Sequence, residues 1–161
     1  MRGIPVTVVG FALGWLLLVP EPLGAWGPAT HVALGETLLT SLYLLPPAIR
    51  LLLQNHPIEF LYGSVAADIS FGKKYVPEGR HSHFWRVGEE ILNAAPNDPL
   101  RAAGYGYLAH LAADTLAHNT FIPRKLFLTR TKKPHGHTYW EHRMDLHVGE
   151  EYLGKARRLV M

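Results

Sequence analysis

The chain has 161 residues, a formal net charge of +3, ten histidines and no cysteine. That length supports one domain with its own core and excludes a pair of full-sized domains. The missing cysteines exclude a disulfide framework, so an exported chain of this size needs another reinforcement, which bound metal can supply; the weak positive balance suits anionic substrates without identifying one.

Met1-Arg2 opens the chain with positive charge, and residues 4–19 form an apolar run without charge. Pro20 and Pro22 break the run, and Ala25 offers the small residue at which a signal peptide is cut. Residues 1–25 are therefore read as a signal peptide and Trp26 as the first mature residue. The run is slightly short of the about 20 residues that a bilayer span needs, which places an uncleaved anchor second. Cleavage implies a protein that is secreted, periplasmic or held in the cell envelope.

Residues 26–161 read as one helical domain punctuated by Pro and Gly, with no strand pattern. Pro28 suits the first turn of a helix reaching Leu42, Pro46-Pro47 restarts the chain into 48–54, and Pro57 opens a segment over 58–68. In that segment Phe60, Leu61, Val65 and Ala66 share one side. Residues 71–80, with their Gly, Pro and Lys, suit an irregular connection. Residues 83–94 read as a helix, and Asp98-Pro99 as the N-cap and first-turn pair of the longest helix, which ends near Asn119. Pro123 closes it, 124–134 is a basic loop or short helix, and a last helix covers about 137–159. The expected fold class is all-α. Nothing caps the last helix near the chain end, which reads as a domain shortened at its C-terminus or a piece of a larger fold.

The longest helix carries His110, Asp114 and His118 at intervals of four. Side chains so spaced share a face, with Cβ atoms about 5–6 Å apart. One His–Asp pair would suit a hydrogen-bonded stripe between helices. Three such residues on a helix otherwise made of Ala, Leu and Tyr need more, because burying them unpaired costs several kcal/mol. His137 and Glu141 repeat the interval, with His135 as a rival ligand. Imidazole with carboxylate is zinc chemistry, and three protein ligands plus water define a catalytic rather than structural site. Upstream stand His31, Asp68 and the pair His81/His83, each weak alone. His31 lies five residues after Trp26, close enough for the chain end to fold back beside it. A free α-amino group, with a pKa of about 7.7–8.0, can ligate zinc once the metal displaces its proton.

Taken in order, five pieces of the sequence resemble the zinc-dependent phospholipase C and single-strand nuclease superfamily. They are Trp-Gly-Pro-Ala-Thr-His at 26–31, Ala-Ala-Asp at 66–68, His-Ser-His-Phe-Trp at 81–85, His-Leu-Ala-Ala-Asp at 110–114 with His118, and His-Thr-Tyr-Trp-Glu at 137–141. Members of that group are all-helical secreted enzymes with three zinc ions, one bound by the amine and carbonyl of an N-terminal tryptophan. The resemblance implies a compact multi-helix domain in which Asp68, His83, His110 and Asp114 hold one zinc. Asp114 would bridge to a second, bound by the Trp26 amine and carbonyl and by His31. His118, His137 and Glu141 would hold the third. The family's interval from aspartate to histidine fits His83 rather than His81. The step from Asp114 to His118 is shorter than the family pattern, and the C-terminal helices of larger members have no counterpart.

The resemblance further implies hydrolysis of phosphate esters, first of all phospholipase C-type cleavage of phospholipids by a zinc-bound hydroxide. Zinc lowers the pKa of bound water from about 15.7 to about 7. Asp68 would then act catalytically as well, orienting or deprotonating the attacking water. A single-strand nuclease or phosphodiesterase of the same fold is the alternative enzyme. A non-enzymatic zinc-binding module of the cell envelope is the alternative of another class; His56, His142 and His147 would serve it, although a surface position is the plain reading of these three. Phe71, Tyr75, Phe84 and Trp85 are candidates to stack on a base or line a headgroup pocket, against an ordinary place in the core. Lys73, Lys74 and the basic run 130–133 are candidates to meet phosphate or anionic membrane, against a solvated loop. The expected partners are thus a phospholipid or nucleic-acid phosphodiester and a peripheral membrane contact, with no protein partner.

Overall fold

The structure is a computed structural model that describes residues 26–69, 77, 79–130 and 135–161. Residues 1–25, read from the sequence as a signal peptide, Phe71, Lys73, Lys74, Tyr75 and residues 131–134 lie outside the described residues. Every regular element among the described residues is helical, as the sequence led us to expect. The helices are α1 Pro28–Thr40, α2 Pro47–Asn55, α3 Pro57–Ala66, α4 Trp85–Ala94, α5 Asp98–Leu116, α6 Ile122–Thr129, α7 His135–Val148 and α8 Glu150–Val160. A short 3-10 turn, Leu42–Leu44, follows α1, and a π turn, Ala117–Phe121, joins α5 to α6. No described helix is long and apolar enough to cross a membrane.

Five of these helices, α1, α2, α3, α5 and α6, carry proline in their first two positions. A proline there forfeits only an N–H that has no intrahelical partner anyway. The central element is α5, which contributes Ala102, Tyr107, Leu108, Leu111 and Ala113 to three separate parts of the core. It crosses α3 at a place where both chains lack side chains. A Cβ added at Gly63 would collide with the Ala103 carbonyl, and one added at Gly106 with the Phe60 carbonyl. The two backbones therefore pack directly, bringing the C-terminal end of α3 against the middle of α5.

Four boundaries differ from the sequence reading. The N-cap of α5 is Asn97, whose side chain accepts the Leu100 N–H at 3.0 Å, with Asp98 and Pro99 inside the first turn. The helix after His83 starts at Trp85, so His83 lies in the preceding turn. Pro123 opens α6 rather than closing α5, and of the two readings of the basic stretch, loop or short helix, the described residues as far as Thr129 take the helix. The expected single last helix is broken at Gly149, whose φ of 105° only glycine adopts cheaply. Past that break α8 packs on α1 and α3 through Ala156, Val32 and Val65. Lys155 locks it there, with its ammonium 2.8 Å from Glu36 of α1.

Candidate metal centre

The site is built where α3 ends against α5. Because α3 stops at Ala66, its last carbonyls have no helical donor, and the Asp68 N–H turns to the Val65 carbonyl. The Ser64 carbonyl meets His110 Nδ1 at 2.9 Å instead. A carbonyl only accepts, so Nδ1 of His110 carries the proton and Nε2 presents a lone pair. His110 is 1 % exposed, and that lone pair points into the protein.

Around it the ligand-type atoms converge. His83 Nε2 lies 3.2 Å from His110 Nε2, 3.2 Å from Asp68 Oδ1 and 3.3 Å from Asp114 Oδ2. His110 Nε2 lies 3.4 Å from the same Asp114 oxygen. On the other side, Asp114 Oδ1 lies 3.3 Å from His31 Nε2, so the two oxygens of one carboxylate face different histidines. His31 and His110 stack at 3.8 Å between ring centroids. These separations are long for hydrogen bonds, and they match another geometry. Ligand atoms about 2.0–2.1 Å from a tetrahedral zinc ion stand roughly 3.4 Å from one another. His31 Nε2 makes the same point, being buried without a hydrogen-bond partner although Asp114 is near. Within two sets, His31/Asp68/His110 and His83/His110/Asp114, all ligand atoms lie within 4.8 Å. The donor set fits zinc.

The electrostatics of the cluster follow from the same contacts and from burial. Burial pushes the His31 imidazole below its usual range, and neighbouring His110 adds to this against the pull of Asp114. Its neutral, ligating form is favoured. Burial alone would raise the Asp114 carboxyl, but contacts with His110, His118, His31 and His83 outweigh it and hold Asp114 well below the usual carboxylate range. His118, on the π turn, stands 3.6 Å from Asp114 Oδ2 and is raised chiefly by that carboxylate. Burial raises Glu141, with His118 close enough to pull the other way. His118 and Glu141 are thus near enough to feel one another's charge. His137 falls in α7, but its side chain lies outside the described residues.

His118 lies in the π turn. Pro123 has no N–H to give the Asn119 carbonyl, as an α-helical register would require. The turn widens instead, with the Ile122 N–H reaching the Ala117 carbonyl. The Asn119 amide takes up the Thr115 carbonyl at 2.8 Å. Short wide turns of this kind are frequent at functional sites.

Trp26 is buried, its ring edge-on to His31 with centroids 6.1 Å apart. The chain leading from it into α1 is held by a residue that the sequence reading missed. Asp145 of α7 is 5 % exposed. It accepts hydrogen bonds from the Thr30 hydroxyl at 2.7 Å, the Thr30 N–H at 3.0 Å and the Ala29 N–H at 3.3 Å. The N-cap of α1, Gly27, has no side chain to cap with, and any Cβ there would strike the Asp145 carboxylate. One signal was available: Asp145 follows Glu141 by four and so continues the face begun by His137.

The remaining candidates sort themselves around this centre. His81 Nδ1 accepts the His83 N–H at 3.2 Å, and the Tyr107 hydroxyl donates to the Ser82 carbonyl, so the turn carrying His83 is tied to itself and to α5. Trp85 packs in the core beside Tyr107 and Leu108, while Phe84 is half exposed. His56 sits at the start of α3, 3.9 Å from Glu59, and His142 and His147 are exposed.

A model of the zinc-dependent phospholipase C family matches residues 30–158. No curated protein and no solved structure matches the chain.

Proposed function

The chain belongs to the zinc-dependent phospholipase C family, and from that premise we propose that it is a phosphate-ester hydrolase cleaving phospholipids on the phospholipase C pattern. The observation that carries the proposal is the convergence of His31, His83 and His110 Nε2 on the two oxygens of Asp114, at separations suited to the edges of a zinc coordination shell. Asp68, His83, His110 and Asp114 would hold one zinc, Asp114 and His31 with the Trp26 amine and carbonyl a second, and His118, His137 and Glu141 a third. Zinc held there would supply positive charge for the phosphate oxygens and bring the pKa of water toward neutrality.

The rest falls to the chain's own groups. The Ser64 carbonyl fixes His110 in the tautomer that leaves Nε2 bare. Burial keeps His31 neutral. Asp68 is the ligand-type carboxylate open to solvent, its side chain a third exposed against about a tenth for Asp114. It can accept a hydrogen bond from an entering water, orient it toward phosphorus and take its proton. The mature protein would begin at Trp26 after export.

Purified protein beginning at Trp26 should carry about three zinc ions and release phosphorylated headgroup from phosphatidylcholine. Cleavage of single-stranded DNA with phosphatidylcholine untouched would move the substrate to nucleic acid. Labile zinc with no turnover on either substrate would reduce the protein to a metal carrier.

A further inference from the structure

The helix α6 turns Ile122 and Leu126 into the core and leaves an unusual face outside. Phe127 is 83 % and Leu128 63 % exposed. On a helical wheel Arg124 falls between them, opposite Ile122 and Leu126, and Lys125 borders the same arc. The helix contains no acidic residue, and the sequence continues the charge with Arg130, Lys132 and Lys133. Beside it α7 presents Tyr139, Arg143 and Leu146 at helical spacing on one face, all three exposed.

Between the two helices lies a cavity of about 450 Å³ walled by Phe121, Trp140 and Met144 and bordered by Lys125, Arg143 and His147. The Lys125 ammonium sits 5.2 Å from the Phe121 ring centroid and 4.9 Å from that of Trp140. Neither Lys125 nor Arg143 has a carboxylate partner among the described residues. Apolar side chains standing outward among cations that have no carboxylate partner among the described residues match the boundary of an anionic bilayer in both polarity and charge.

We propose that α6 and the adjoining face of α7 are the surface by which this protein docks on bilayers containing anionic phospholipid. Phe127 and Leu128 enter the headgroup boundary. Arg124, Lys125 and Arg143 meet lipid phosphates, the last two at the rim of the aromatic cavity. The inference deepens the lipid reading of the metal centre and rests on it for the purpose of docking, whereas docking itself is measured without turnover.

The test is co-sedimentation of the chain beginning at Trp26 with phosphatidylcholine vesicles, with and without phosphatidylglycerol. Binding should require phosphatidylglycerol and weaken as salt rises. Phe127→Ala with Leu128→Ala should weaken it tenfold or more, roughly the effect of withdrawing two apolar side chains from the boundary. Arg124→Glu with Lys125→Glu should weaken it further, at about fivefold per cation lost. The same charge reversal on α8, Arg157→Glu with Arg158→Glu, should leave binding nearly unchanged. Circular dichroism of each variant verifies the fold.

Equal binding to both vesicle types, or an equal loss from the α8 reversal, would overturn the proposal. So would a stable dimer that Phe127→Ala with Leu128→Ala dissociates, since a second copy would then cover the face. Vesicle binding without cleavage of any phospholipid would keep the docking surface and remove the hydrolase reading. Cleavage of dispersed lipid without vesicle binding would do the opposite.

Discussion

Replacing Asp145 with Ala removes the only side-chain acceptor that the described residues give the N-terminus of α1. Two donors lose their acceptor together, the Ala29 N–H and the Thr30 hydroxyl, while the Thr30 N–H, shared at present between Asp145 and the Gly27 carbonyl at 3.1 Å, keeps only the latter. Ala29 and Thr30 are both fully buried, so water cannot take over without opening the end of the helix. A buried donor left unsatisfied costs about 1–3 kcal/mol, and a carboxylate at a helix N-terminus adds up to about 1 kcal/mol through the helix dipole. Allowing for relaxation and non-additivity, we expect a loss on the order of 3–5 kcal/mol, a large part of the roughly 5–15 kcal/mol that holds a domain folded. Asp145→Asn retains one acceptor oxygen but sets an amide N–H₂ against a backbone N–H, so its loss should be about half as large. Urea unfolding of the chain beginning at Trp26 measures both. Amide hydrogen exchange should quicken at Ala29 and Thr30 before it quickens in the middle of α5. Asp98→Ala serves as the comparison, because Asp98 is exposed in a first turn already capped by Asn97; it should cost less than about 1 kcal/mol. If Asp145→Ala costs no more than Asp98→Ala, the cap does not hold α1 and the reasoning fails.

Gly106→Ala should destabilise by about 3 kcal/mol or more, because the added methyl meets backbone that cannot step aside, whereas Gly154→Ala, with only Arg158 Nη1 at 3.5 Å, should gain roughly 0.5–1 kcal/mol from helix propensity; thermal melts of both variants give the comparison. Asp68→Asn should lower turnover by about 10²–10⁴-fold while metal analysis finds most of the zinc retained, and an equal fall in both would leave Asp68 a plain ligand. A chain extended before Trp26 turns the terminal amine into an amide, so it should bind one zinc fewer; full zinc content and activity in the extended protein would remove Trp26 from the ligand set.

Much of the site could be read from the sequence because its parts are local. His110, Asp114 and His118 announce themselves by their interval of four on an apolar helix, and the structure brings them together with His31, His83 and Asp68. What the sequence hid depends on contacts between distant segments. Asp145 acts on Ala29 and Thr30 more than a hundred residues away, and no local pattern ties a carboxylate to a particular helix end. The π turn was hidden as well, since Pro123 reads equally as the stop of one helix or the start of the next, and the wider turn resolves that choice. Gly149 reads as a tolerated helical glycine until its positive φ sends α8 back over α1.

The place where α3 stops has a consequence for any attempt to re-engineer the protein. One more turn of that helix would reclaim the Ser64 carbonyl for its own backbone ladder and carry Asp68 around the axis, away from His83. Two separate contributions to the site, the acceptor for His110 and the placing of Asp68, are therefore encoded by a single act of punctuation after Ala66. Insertions and strong helix formers should be kept out of residues 66–69, whereas exposed positions of α2 and α8 that neither ion-pair nor face the core leave room for redesign.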